Sequence, residues 1–355
     1  MGEQGLRLFS RFACAAALGV MLMAAPAQAS SVHAKGFLVP GAPHRLIAGP
    51  GPRLTYTSMT CTNVSNLGCS FGPVHSLRPR TGEITSNTAA EGAFDLARAS
   101  DRRVWFSAPL SNSIGSFPPD GGIDFLGGMG AGRTDCRWSY DNTPDNLCPS
   151  SEPQDITVAA GGNVWFSEIA GGRVGRIAPG GALTLWDTGA ESRPQTIAAG
   201  PDGNVWFVVR TQTGPAALAR ITPTGEITRF PIGSRYMEDL ISGPGGLLWG
   251  ASGQGLFAFI PETGEIEKSF PRVRGSSVAV GPDGNLWLAA NFCGAGDTQP
   301  MVTRVTPQGD ATSFPVGSDS VASHECPGTG GIISRANHLW MADPGGTLWR
   351  LTPPR

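Results

Sequence analysis

Across residues 194–233, apolar and polar positions alternate in four short bursts, each closed by a turn. The first, Thr196-Ile197-Ala198-Ala199, is small and mostly apolar, as a strand crowded by neighbours must be. Pro201-Asp202-Gly203 ends it, with Pro presetting φ and Gly free to take a positive φ. NVWFVV at residues 204–209 is β-branched and aromatic, suited to a strand packed between sheets. After a loop come ALARIT, the turn Pro223-Thr224-Gly225 and the outer burst EITRFPIG. One such unit cannot cover its own faces and needs neighbours.

The chain supplies them. Aligned on the Trp of the second burst, Trp105, Trp165, Trp206, Trp249, Trp287 and Trp340 fall in one column, and Thr55 holds that place in a degraded copy near the N-terminus. That makes seven units with a period of roughly 40 residues where no loop intervenes, the length of a four-stranded propeller blade. The last copy stops after Trp349-Arg350-Leu351-Thr352-Pro353 and lacks an outer strand, whereas residues 35–41 (KGFLVPG) read like the outer burst TSFPVG at 312–317. The predicted fold is all-β: a seven-bladed β-propeller whose ring is closed by an N-terminal strand completing the last blade.

Composition agrees. Of 355 residues 50 are Gly, 30 are Pro and only 15% are charged, which suits many short strands joined by tight turns. A net charge of -2 gives no reason to expect nucleic acid or an anionic membrane surface as partner. Residues 1–29 read as a cleaved signal peptide: Arg7 and Arg11, an apolar stretch at 13–23, then Ala27-Gln28-Ala29. Residues 30–355 form the propeller, and no later stretch is long and apolar enough for a membrane-spanning helix. The expectation is a secreted or periplasmic monomer.

Export changes the reading of the cysteines. Setting aside Cys14 leaves Cys61, Cys69, Cys136, Cys148, Cys293 and Cys326, an even set for an oxidising compartment. Local spacing favours Cys61–Cys69 and Cys136–Cys148, leaving Cys293–Cys326. Zinc is the competing reading, but no C-x₂-C pair occurs and no His stands at ligand spacing.

The PDGNVWF element and the R-I-T-P-x-G-x-I-T-x-F-P rhythm resemble the virginiamycin B lyase (streptogramin lyase) family of seven-bladed propellers, with NHL and SMP-30-like repeats related in pattern. The resemblance spans nearly all of the chain after residue 29. It implies a carbon–oxygen lyase that opens a cyclic depsipeptide lactone by elimination, using a base, an acid and Mg²⁺. The family's W-F-T-E-x-H arrangement matches Trp165-Phe166-Ser167-Glu168-Ile169-Ala170, which keeps the Glu and has Ala170 in place of the His. By this resemblance only Glu168 carries over, as a catalytic or metal-binding candidate; His324, in Ser323-His324-Glu325-Cys326, is the one histidine on the expected top face and the candidate acid–base partner.

In such a blade the loop between strands two and three and the crossing to the next blade open on one face, here called the top. The cysteine-bearing insertions all fall there, while the opposite face keeps minimal PDG and TG turns. Elaboration of one face suits a binding surface. Three places past the aligned Trp stand Ser58, Ala108, Glu168, Val209, Ser252, Ala290 and Asp343, with Arg210 and Asn291 adjacent. At the start of the inner strands stand Asp95, Asp155, Thr196, Asp239 and Ser277. These carboxylates either hold a hard cation, Mg²⁺ or Ca²⁺, or accept backbone N–H bonds between blades. Glu168 and Asp343 are the metal candidates, and Arg210, Asn291 and Asp343 the ligand-binding ones. The Gly127–Gly132 run opens no helix and is no dinucleotide loop.

Three functions remain open. One is a secreted module that binds a small molecule, glycan or peptide over the top mouth. The second is the metal-dependent lyase, and the third an interaction scaffold in the cell envelope.

Overall fold

A computed structural model of the chain describes residues 31–61, 69–126, 151–189, 191–211, 216–233, 235–290, 300–316 and 330–354. These residues build seven four-stranded antiparallel sheets. Six are consecutive in sequence. The seventh joins Ile332–Arg335, His338–Asp343 and Thr347–Thr352 to the N-terminal strand His33–Leu38. His33 pairs with Thr352 and Leu38 with Thr347, so the expected closing strand is present. Its last bond, from Val39 N to Gly346 O at 2.9 Å, covers an edge that would otherwise be open.

Blade 4 shows how the repeat works: Ser192–Ala199, Val205–Thr211, Ala217–Ile221 and Ile227–Pro231 run from the axis outward. Trp206 stands opposite Arg220 across the second and third strands. Its indole stacks on Phe230 of the outer strand, ring centroids 5.4 Å apart, and the Arg220 guanidinium lies over both rings. Trp165, Arg176 and Trp186 repeat this arrangement in blade 3. The PDG turn serves the same Trp, because Asp202 Oδ1 accepts the Trp206 indole N–H at 3.0 Å; Asp283 does so for Trp287. Gly203 and Gly284 supply the positive φ (79° and 75°) that this turn requires. In blade 1, Thr55 meets Ser76 by a hydroxyl contact in place of the Trp–Arg pair.

Between neighbouring blades lies a separate apolar cluster, one at each of seven interfaces. In blades 2 and 3 the aromatic residue after the column Trp crosses to a glycine, Phe106 over Gly115 and Phe166 over Gly175. A Cβ at Gly175 would overlap the Phe166 ring, which is itself fully buried. Gly175→Ala is therefore expected to destabilise the fold by about 1–3 kcal/mol through overpacking, read from denaturant unfolding. An unchanged midpoint would show that the ring can move aside.

Cys61 and Cys69 are register partners across the second hairpin of blade 1. Cys136, Cys148, Cys293 and Cys326 lie outside the described residues, as do His324 and Asn291.

Candidate functional site

Each inner strand runs from the top face downward, so the residues just before and at its start ring the axis. In one ring stand Arg45, Asp95, Asp155, Thr196, Asp239 and Ser277; one residue earlier, nearer the top, stand His44, Phe94, Gln154, Gln195, Glu238 and Ser276.

The lower ring latches the blades together. Asp95 Oδ2 accepts the Ile156 N–H of the next blade at 2.9 Å, Asp155 Oδ2 that of Ile197 at 2.8 Å, and Asp239 Oδ2 that of Val278 at 2.9 Å. Ser277 Oγ accepts from Ile332 N at 3.1 Å. A second latch sits two places past the column Trp: Thr57 Oγ1 donates to Phe94 O at 3.0 Å, and Ser107 Oγ donates to Gln154 O. Of the two roles the sequence left open for these carboxylates, the inter-blade bond is the one seen.

Blade 1 breaks the column with a cation. Arg45 projects among the carboxylates, with Nε 3.7 Å from Asp95 Oδ1 and Nη2 3.8 Å from Asp155 Oδ1. Burial opposes its charge, but Asp95, Asp155 and Asp239 overcome that and hold the guanidinium more firmly protonated than usual. The Asp155 carboxyl is pushed well above the ordinary range, first by burial and then by Asp95 beside it, against the pull of Arg45. Asp239 is raised by burial, again against Arg45.

Arg45 lines two axial cavities. Above it is a cup of about 190 Å³ walled by the upper ring, with Tyr236 at the rim. Below it is a well of about 360 Å³ lined by Ile156, Ile197, Ile241, Val278 and Ile332 together with the carboxylates Asp95, Asp155 and Asp239. The cup is polar, and several of its groups are unanswered: His44 Nδ1, Gln195 Oε1, Ser276 Oγ and Arg45 Nε are buried without a hydrogen-bond partner. His44 is held neutral, its pKa lowered to about 3 by burial and by Arg45, which the Phe94 carbonyl only partly offsets. Glu238 is raised by burial, although Gly253 N donates to its Oε1 at 3.3 Å.

Two of the residues expected to carry function, Glu168 and Asp343, stand elsewhere. Glu168, completely buried at the end of the strand Val164–Glu168, accepts from Arg173 Nε at 2.7 Å. Burial raises its pKa and Arg173 works against this. Asp343 Oδ1 accepts from Gly345 N at 3.0 Å and Oδ2 from the Trp349 indole at 3.1 Å, so it braces a turn of blade 7. Neither lines the axial cavities, because second strands lie one strand out from the axis. Both Asp343 oxygens are engaged, whereas Glu168 Oε1 is buried without a hydrogen-bond partner; among the described residues no group of three or more His, Cys, Asp or Glu is placed to hold a metal. Arg210 is exposed and lies over the Tyr236 ring, 5.1 Å from its centroid, which places it at the rim of the cup. The upper ring escaped the sequence reading, and so did Arg45. Extending the column of Asp95 and Asp155 back to blade 1 would have exposed the substitution of an acceptor by a cation.

Comparison with known proteins bears on the fold and the family. The sequence pattern of the Virginiamycin B lyase family matches residues 142–347, more than half of the chain. Selenomethionine-substituted virginiamycin B lyase from Staphylococcus aureus superposes with a TM-score of 0.68 at 22% identity, covering 91% of this chain and 100% of that one. A streptogramin B lyase structure gives 0.67 at 20% identity, with 90% and 97% covered. Kuenenia stuttgartiensis hydrazine synthase gives 0.60 at 13% identity, with 89% and 97% covered, so the scaffold alone does not specify chemistry. No curated protein sequence compared with it matches. With seven blades in place and the family's pattern running from before blade 3 into blade 7, the chain belongs to the virginiamycin B lyase family.

Proposed function

We propose that this protein is an exported, disulfide-stapled propeller that binds a small ligand in the axial cup of its top face. The observation that carries the reading is that four residues lining one small cavity, His44, Gln195, Ser276 and Arg45, each hold a buried polar atom without a hydrogen-bond partner. Buried polar atoms in folded proteins are nearly always paired, so several on the residues around one cavity mark a place where a partner belongs. Arg210 and Tyr236 form the rim such a ligand crosses.

The test is a thermal-shift screen of small polar compounds on the chain lacking residues 1–29, repeated with Ser276→Leu, which fills the cup. A ligand present at about 100 times its Kd should stabilise the native protein by about 2.7 kcal/mol. The shift should vanish in Ser276→Leu. Hits that shift both proteins equally, or a screen without hits, would remove the reading.

Membership of the family favours a second reading, lyase action on a cyclic depsipeptide. A catalytically inactive variant of the Staphylococcus aureus enzyme has been crystallised with quinupristin. The cup, at about 190 Å³, is smaller than the roughly 300–1,000 Å³ of drug-sized pockets. A depsipeptide ring would therefore lie across the top face rather than enter the cup. Incubating the protein with a type B streptogramin and Mg²⁺ decides it: a linear product of unchanged mass supports the lyase, and untouched substrate with folded protein removes it.

A further inference from the structure

Four buried polar atoms without partners differ in what they ask of a ligand. His44 is held neutral by burial and by Arg45, so one of its ring nitrogens donates and the other accepts, and Nδ1 has no partner. Gln195 presents Oε1, an acceptor. Arg45 Nε is a donor whose nearest carboxylate oxygen, Asp95 Oδ1, stands 3.7 Å away. The Ser276 hydroxyl does either. An ammonium group answers only acceptors, and a carboxylate only donors. A hydroxyl answers both from a single atom.

Charge leads to the same chemistry. A cation entering the cup meets Arg45, and an anion meets Glu238 and Asp155. An uncharged ligand meets neither penalty. One wall is aromatic: the Phe94 ring lies 5.0 Å from the His44 ring and packs edge-on, at 88°, against Phe71. An aromatic face suits the C–H side of a saturated ring, and here Phe94 is shared with Arg45, whose guanidinium lies 5.9 Å from its centroid. The volume, about 190 Å³, holds about six waters at roughly 30 Å³ each, which is room for one ring and its hydroxyls.

Resting on the cup reading above, we propose that the ligand is an uncharged polyhydroxylated ring, the terminal residue of a saccharide. The two Gln side chains of the upper ring and Glu238 then bind adjacent hydroxyls, while Phe94 carries the apolar face.

The experiment is a calorimetric and ligand-observed NMR titration of the chain lacking residues 1–29. The probes are the methyl glycosides of glucose, galactose, mannose, xylose and N-acetylglucosamine, each hexose also as its uronate and its amino sugar. At least one neutral glycoside should bind, with its uronate and amino-sugar counterparts at least tenfold weaker. Gln195→Ala and Gln154→Ala should each weaken that binding at least fivefold while leaving the thermal midpoint of the free protein unchanged. Tighter binding of a charged sugar, sensitive to Gln195→Ala, would overturn the uncharged ligand class proposed here yet keep the cup as a ligand site. Binding of no sugar at all would overturn this inference, and the broader cup reading would then stand or fall on the screen with Ser276→Leu. Binding indifferent to both Gln substitutions would place the ligand elsewhere and overturn it too.

Discussion

Arg45→Met is expected to cost about 3–5 kcal/mol of stability at pH 7, among the largest single-residue effects in this fold. Removing one member of a buried charge cluster leaves the others uncompensated, and that penalty exceeds what the ion pairs themselves contribute. Here the group left behind is Asp95, Asp155 and Asp239, three carboxylates that also accept the backbone N–H groups joining blade to blade. They cannot turn away from the axis without breaking those latches. The loss should shrink with acid. Arg45 pulls the Asp155 and Asp239 pKa values down against burial, and without it both rise further. A carboxyl whose folded pKa is raised adds stability below its unfolded pKa and loses that contribution as pH rises through the folded value. The variant should therefore approach the wild type as these groups take up protons. Denaturant unfolding of both proteins at pH 7 and pH 4.5 measures this. A deficit equal at the two values would mean that Arg45 acts by packing rather than by charge.

The second large effect concerns His44. Its pKa is lowered from 6.5 to about 3 by burial and by Arg45 next to it. A base with a depressed folded pKa contributes stability above its unfolded pKa, and that stability is lost as pH falls through the folded value. The window is thus pH 6.5 down to about 3, and at about 1.36 kcal/mol per pH unit the loss is on the order of 5 kcal/mol. Asp155, Glu168, Glu238 and Asp239, all raised, work in the opposite direction. His75, lowered by burial, works in the same direction as His44. His44→Phe isolates the contribution, because Phe94 and Phe71 already provide aromatic neighbours. Its stability should decline much less steeply than the wild type between pH 6.5 and 4. Parallel curves would show that His44 is not the group that titrates.

The saccharide proposal and these two effects concern one place. Arg45 forms the floor of the cup and His44 part of its wall. Acid that charges His44 makes both ring nitrogens donors and removes an acceptor from the cup wall, so ligand binding and stability should weaken together as pH falls.

What was readable from residues alone is what repeats locally. The column from Trp105 to Trp340, the PDG turns and the Arg of each R-I-T burst are set by contacts within one blade, and each recurs often enough to align. Even the closing strand was legible, since residues 35–41 keep the outer-strand spelling while lying far from the blade they complete. The site was not. Counting three places past the Trp pointed to Glu168 and Asp343, but whether a second-strand side chain reaches the axis or seals into its own blade depends on neighbours such as Arg173 and Trp349. The cup exists only once the ring is shut. Its walls come as one or two residues from each of several blades, from His44 to Ser276, the contributions of different blades lying far apart in sequence. No local period marks residues such as His44 and Arg45 that differ from their counterparts. Sequence by itself determined the strands, their order and their number; the tertiary structure alone decided which of the unrepeated residues meet at the axis, because closure of the ring brings them together.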